Sequence, residues 1–194
     1  MTAILLAAGF SRRFAARAPA GSQKLLAQLQ DGRLVVEAAA KNLIAGAGKV
    51  VAVIGSDDAI RRVLEDCGCR VVVNSFAKVG MGTSIATGVR ACPDASGWLI
   101  ALGDMPFIQP ETIANILAAS SGSAGIVIPT FNGARGHPVA FAADFRPELM
   151  ALQGDQGARS IVAAHPERLK LLQVDDTGIL ADIDTLDDLR NHQS

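Results

Sequence analysis

Three places in the chain put phosphate- or cation-handling side chains directly after short apolar runs. The run Ile4 to Ala7 is followed by Ala8-Gly9-Phe10-Ser11-Arg12-Arg13 and, further on, by Lys24. Glycine at a strand end lets backbone amides approach a phosphate closely, while Ser11, Arg12, Arg13 and Lys24 supply donors and positive charge. The run Trp98 to Leu102 is followed by Gly103-Asp104-Met105-Pro106. A carboxylate so placed suits a hard cation such as Mg2+, which takes one or two protein carboxylates together with phosphate oxygens. Near the C-terminus Asp182 and Asp184 alternate and would share one side of an extended segment. Asp187 and Asp188, just beyond, read as the solvated acidic first turn of a helix.

Glycine-bearing loops supply a second set of candidates. Gly80-Met81-Gly82-Thr83-Ser84 precedes a helical pattern with Ile85 and Val89. Its backbone and two hydroxyls suit a base, a ribose or a phosphate, or equally a helix cap. Gly133-Ala134-Arg135-Gly136-His137-Pro138-Val139 and Gly154-Asp155-Gln156-Gly157-Ala158-Arg159 carry one arginine each. Such guanidinium forks fit the phosphate of a second substrate, although loop arginines are as often plain surface residues. The same balance applies to Gly9, which a tight turn would also explain, and to Asp104, which could cap the helix that Pro110 starts.

Other chemistries lack their residues. No Gly-x-Gly-x-x-Gly follows the first strand, and Gly80-Met81-Gly82 meets Ile85 where a third glycine would stand. Gly48-Lys49 is no P-loop, no Gly-x-Ser-x-Gly elbow exists, and His137, His165 and His192 are isolated in sequence. Cys67-Gly68-Cys69 lacks the second ligand pair of a zinc site.

These residues must be positioned by strands expected at Ile4 to Ala7, Val50 to Ile54, Arg70 to Val73, Trp98 to Leu102, Ile126 to Ile128, Val139 to Phe141 and Leu169 to Val174. Helical patterns lie between them. One opens at Asp57 and Asp58, with Ile60, Val63, Leu64 and Cys67 on one face, and another opens at Pro110 with Ile113, Ile116 and Leu117 inward. Such alternation implies right-handed crossovers and a largely parallel sheet with helices on both faces. Ligands of such sheets bind outside the carboxyl ends of the strands, where the loaded positions fall.

Composition narrows the partners. The 194 residues carry 18 basic and 19 acidic side chains, and only 4% are aromatic, which argues against nucleic acid as ligand. Three cysteines are too few for a disulfide framework, so a reducing cytoplasm is expected. The longest uncharged stretch, Thr112 to Ala134, is broken by Ser120, Ser121, Gly122, Ser123 and Pro129, so no membrane span is expected. One domain, residues 1–194, is the expected organisation.

In order, these segments resemble the nucleotidyltransferases of molybdenum-cofactor cytidylyltransferase type, MocA-like, and their guanylyl relatives, MobA-like. The family's Leu-Ala-Ala-Gly-x-Ser-x-Arg is matched by Leu6-Ala7-Ala8-Gly9-Phe10-Ser11-Arg12-Arg13, and its following lysine by Lys24. Gly-Asp-x-Pro, Arg-Gly-His-Pro-Val, Gly-Asp-x-Gly-Ala-Arg and Asp-x-Asp-Thr also have counterparts. Ala15 stands where the family usually has glycine, and residues 16–23 form an insertion before Lys24.

The resemblance implies a Rossmann-like three-layer α/β sandwich with a mostly parallel sheet, of the nucleotide-diphospho-sugar transferase kind. It implies transfer of CMP from CTP to the terminal phosphate of molybdopterin, releasing pyrophosphate, with Mg2+ as cofactor. Catalytic roles would fall to Arg13, Lys24 and Asp104, and the metal to Asp104 and Asp184. Nucleotide contacts would come from Leu6, Ala7, Ala8, Gly9, Ser11, Arg13, Lys24, Gly82, Thr83, Ser84 and Asp104. The acceptor would meet Arg135, His137, Asp155 and Arg159. A xanthine dehydrogenase family apoenzyme or its chaperone is the implied recipient of the product. Guanylyl transfer, another phosphorylated acceptor, or a non-catalytic role in cofactor insertion are the alternatives.

Overall fold

A computed structural model describes residues 1–9, 23–122, 125–155 and 157–191. Among the described residues eight strands form one mixed sheet: β1 Thr2–Ala7, β2 Val50–Ile54, β3 Arg70–Val73, β4 Gly97–Leu102, β5 Ile126–Phe131, β6 Ala134–Arg135, β7 Val139–Ala142 and β8 Leu169–Gln173. The order β3-β2-β1-β4 is parallel throughout, as helical crossovers require. β7 then enters antiparallel to both β4 and β5, whereas β8 rejoins β5 in parallel. Too few residues separate β5 from β7 for a parallel crossover, so the chain turns back through β6, an element with no sequence expectation. Ile126 pairs with both Phe141 and Leu169, and Thr130 with both Arg135 and Gln173; β8 therefore holds one edge of β5 while β7 and β6 share the other.

Alternation along β1 separates the two faces. Ala3, Leu5 and Ala7 join a core with α1 (Val35–Ala47), α2 (Asp58–Asp66) and α4 (Pro110–Ala119), packing on Val36, Leu43, Leu64 and Ile116. Ile4 and Leu6 face the other core, built with α3 (Met81–Arg90), α5 (Arg146–Ala151) and α6 (Arg159–Ala164) through Ile85, Val89, Leu149 and Ile161. Helices on both faces of a mostly parallel sheet give the expected three-layer Rossmann-like sandwich. The last helix, α7 (Leu186–Asn191), follows the Asp182–Asp184 segment.

Local chemistry explains the helix starts. Asp57 caps α2, its Oδ1 accepting from the Ala59 and Ile60 amides at 2.9 Å each. Pro110 opens α4 as expected. No helix among the described residues is long and apolar enough to cross a membrane.

Candidate active site

The carboxyl ends of β1 and β4 lie side by side, joined by the Gly103 amide donating to the Leu6 carbonyl at 2.9 Å. Leu6 and Ala7 are buried in the strand, and Ala8 and Gly9 emerge from it. Ser11 and Arg13 fall outside the described residues, as does Arg12. The chain is described again at Gln23, whose side-chain amide bonds the Asp57 carboxylate, and enters a 3-10 turn, Lys24–Leu26. Leu25 anchors this turn in the core, and the Lys24 carbonyl accepts from the Ala27 amide at 3.1 Å.

That anchoring aims Lys24 between two carboxylates remote in sequence. Its Nζ donates to Asp104 Oδ2 at 2.7 Å and to Asp184 Oδ1 at 2.8 Å, and only 11% of the lysine side chain is exposed. Burial works to lower the ammonium pKa, but the Asp104 charge and the hydrogen bonds to both carboxylates outweigh it and raise the value. Asp104 Oδ1 is buried with no hydrogen-bond partner among the described residues. An acceptor left in that state is costly unless a cation or donor reaches it.

Asp184 rather than Asp182 reaches Lys24, because Ile183 between them is fully buried and its amide donates to the Asp104 carbonyl at 2.9 Å. The Asp182 carboxyl is pushed up, first by desolvation and then by the Asp184 charge. Asp188, read from sequence as solvated, is instead a capping residue. Its Oδ2 accepts from the Asp184 and Thr185 amides at 2.9 and 2.6 Å, and its own amide donates to Thr185 Oγ1 at 3.2 Å. The spacing Thr185-x-x-Asp188 is the signal for this reciprocal cap, and it fixes the backbone beneath Asp184.

Beside this cluster a cavity of about 700 Å³ is lined by Arg135, His137, Asp155 and Arg159, so two loops remote in sequence meet there. Its walls are apolar, from Ile85 on α3, Ile100 and Leu102 on β4, Ile128 on β5, and Val139 and Phe141 on β7. His137 is held by its amide donating to the Ile179 carbonyl at 3.0 Å, and its Nδ1 is buried without a hydrogen-bond partner among the described residues. Burial pushes its pKa down; the Asp104 charge opposes this and Arg159 reinforces it. Asp176, which drew no attention in the sequence, is buried and fastens this region: its carboxylate accepts from the amides of Gln109 and Gly178 at 2.9 and 2.8 Å.

The Gly80–Ser84 segment leads into α3 and makes the contacts of a helix start. Ser84 is buried, and Asn74 Nδ2 donates to Thr83 Oγ1 at 2.9 Å and to Ser84 Oγ at 3.0 Å. Thr83 Oγ1 in turn reaches the Gly80 carbonyl at 2.8 Å, and the Gly82 amide donates to the Gly154 carbonyl at 2.9 Å. Both hydroxyls and this amide make bonds within the protein, so Gly82, Thr83 and Ser84 help to fasten the start of α3. Gly80, at φ 140°, packs so closely on Gly154 and Asp155 that a Cβ would fall well under 3.0 Å from their backbone atoms. The two glycine loops thus form one wall, from which Met81, Asp155 and Gly157 face the cavity.

Residues 3–169 match the family described as MobA-like NTP transferase domain. Nicotine blue oxidoreductase of Paenarthrobacter nicotinovorans is 31% identical over 199 residues, covering 97% of this chain and 94% of that protein. The crystal structure of Rv0371c from Mycobacterium tuberculosis H37Rv superposes with a TM-score of 0.84 at 27% identity, over 99% of this chain and 96% of that one. The Rv0371c complex with manganese gives 0.81 at 26% identity, over 99% and 97% of the two chains.

Proposed function

The chain belongs to the MobA-like NTP transferase family, a family of nucleotidyltransferases, and on that premise we propose that it transfers CMP from CTP to the terminal phosphate of molybdopterin. The observation that carries this reading is the meeting of Lys24, Asp104 and Asp184 beside a cavity bearing Arg135 and Arg159. An oxygen of the acceptor phosphate attacks the α-phosphorus of CTP; the bond from that phosphorus to the bridging oxygen breaks, and pyrophosphate leaves with the electron pair. Such transfer needs alignment and charge neutralisation, and no side-chain nucleophile.

The nucleotide is held by the backbone of Leu6, Ala7, Ala8 and Gly9, with Ser11, Arg13 and Lys24 donating to the triphosphate. Arg135 or Arg159 grips the acceptor phosphate, His137 and Asp155 meet the rest of that molecule, and the apolar walls exclude water. Asp104 and Asp184 suit a divalent cation such as Mg2+, since both carboxylates face one cation and Asp104 Oδ1 still lacks a partner among the described residues. Once bound, the ion would neutralise charge on the phosphate oxygens. The reaction fits a cytoplasmic protein that hands its product to an apoenzyme of the xanthine dehydrogenase family or to its chaperone.

Incubation with each nucleoside triphosphate, Mg2+ and molybdopterin, followed by product mass and pyrophosphate release, tests the assignment. A product heavier by one cytidylyl group supports it, and pyrophosphate release only with another phosphorylated acceptor refutes the molybdopterin reading. One observation favours a second reading: a relative matched over 97% of this chain is called an oxidoreductase. An oxidoreductase acting in the same cavity would leave CTP intact, so the same mixtures separate the two.

A further inference from the structure

Lys24 occupies the gap that a cation shared by Asp104 and Asp184 would need. Its Nζ stands 2.7 Å from one carboxylate oxygen and 2.8 Å from the other, within hydrogen-bond distance of both at once. Divalent ions of the Mg2+ type bind carboxylate oxygens at about 2.0–2.1 Å, so an ion bridging the same two oxygens would press directly on the ammonium. An ammonium and a dication cannot share that pair without strong repulsion in a partly buried site. The lysine, however, has somewhere to go: it sits on a flexible four-carbon stem rooted in a short turn, and triphosphate oxygens attract it as strongly as carboxylates do.

We infer that Lys24 is a displaceable internal cation, holding Asp104 and Asp184 together in the empty enzyme and surrendering them when a triphosphate arrives. The divalent ion therefore enters with the triphosphate instead of ahead of it. The role is additional to phosphate binding by Lys24. It rests on the nucleotidyltransferase reading for the triphosphate but not on the identity of base or acceptor.

Mn2+ is the probe, titrated without nucleotide and followed by the electron paramagnetic resonance of the free ion. Wild type is expected to bind weakly, and Lys24→Met tighter by about tenfold or more, the scale on which neighbours of metal ligands act. Lys24→Arg, which keeps the charge, should bind as weakly as wild type. Equal affinity of wild type and Lys24→Met would overturn the inference, because the ion would then be using Asp104 Oδ1 without moving the lysine. Should Lys24→Met not fold, the wild type alone decides: saturating Mn2+ must raise acetylation of Lys24 by an amine reagent several-fold, read by peptide mass, and an unchanged rate refutes displacement. Neither measurement involves the acceptor, so a failed cytidylyl transfer assay would leave this result standing.

Discussion

Gly80→Ala tests whether the two glycine loops act as one wall of the cavity proposed for the acceptor. The new Cβ would fall well under 3.0 Å from the Gly154 carbonyl group and the Asp155 nitrogen, which are backbone atoms that cannot rotate away. Its φ of 140° lies where residues with side chains are strained by about 1–3 kcal/mol. Overpacking adds about 1–3 kcal/mol, and loss of the 2.9 Å bond from Gly82 to Gly154 adds about 0.5–1.5 kcal/mol. The expected loss is thus about 2.5–7.5 kcal/mol, out of a total stability of about 5–15 kcal/mol. For a chain of this size each kcal/mol moves Tm by about 2–4 °C, so a fall of at least about 5 °C is expected in a thermal melt. If the 154–159 loop retreats and relieves the clash, the cost reappears as a higher KM for the acceptor with KM for CTP unchanged, since Lys24 and Asp104 lie on other elements. Gly122→Ala, where a Cβ meets nothing within 4 Å, is the control. A Gly80→Ala protein with wild-type Tm and wild-type acceptor KM would refute the packing argument.

Asp104→Asn should fold yet lose transfer by about a thousandfold, because charge stabilisation at the phosphates is worth several kcal/mol; near wild-type turnover would remove Asp104 from the site. Asp188→Ala should cost about 1 kcal/mol of stability through the lost cap and lower kcat by loosening Asp184, measured by urea unfolding and pyrophosphate release. Burial holds the His137 pKa below its usual 6.5, so above pH 6.5 both folded and unfolded states are neutral and stability is full. As pH falls below 6.5 the unfolded chain takes up a proton that the folded site resists, and stability declines until the folded pKa is reached; urea midpoints of His137→Asn should show a flatter slope there, and superimposable slopes would contradict it. On the proposed reading the Ala8 methyl would crowd a two-ring base, so CTP should be preferred over GTP, and Ala8→Gly should relax that preference by no more than about 1–3 kcal/mol. A wild-type enzyme favouring GTP overturns the cytidylyl assignment alone.

Inner strands were legible because parallel strands covered on both faces are buried throughout, leaving short apolar runs such as Val50–Ile54 between polar stretches. Ile60 and Leu64 kept the spacing of a helix with one wet face, and α2 followed from it. The longest helix, α1, hides Val35, Val36, Ala38, Ala39 and Ala40 in succession, which erases a one-face pattern. β6 has two exposed residues, Ala134 and Arg135, and is held by backbone pairing that no side-chain pattern reports. Within the site, the position of Asp104 after β4 could be read from the sequence, whereas Asp182 and Asp184 alternate and could not be told apart by their spacing. That Lys24 bonds Asp104 and Asp184 could not be read either, since the pairings span 80 and 160 positions. The bonding of Thr83 and Ser84 to Asn74 was hidden for a similar reason, since that amide follows a different strand.

The segment from Asp176 to Asp184 crosses the molecule after all eight strands are complete. It ties to Gln109, His137, Asp104 and Lys24 in turn. During synthesis, domains tend to fold from the N-terminal side, and contacts at large sequence separation form late. Every strand has been made by residue 173, yet the second carboxylate arrives only with residue 184. A growing or prematurely ended chain can therefore own a full sheet and still lack the carboxylate that meets Lys24. In the finished protein Ile179 and Ile183 are fully buried in one core with β1, so the strap should open only with the sheet. Hydrogen exchange at the Ile183 amide should then be as slow as at the β1 amides, and much faster exchange at Ile183 would contradict it.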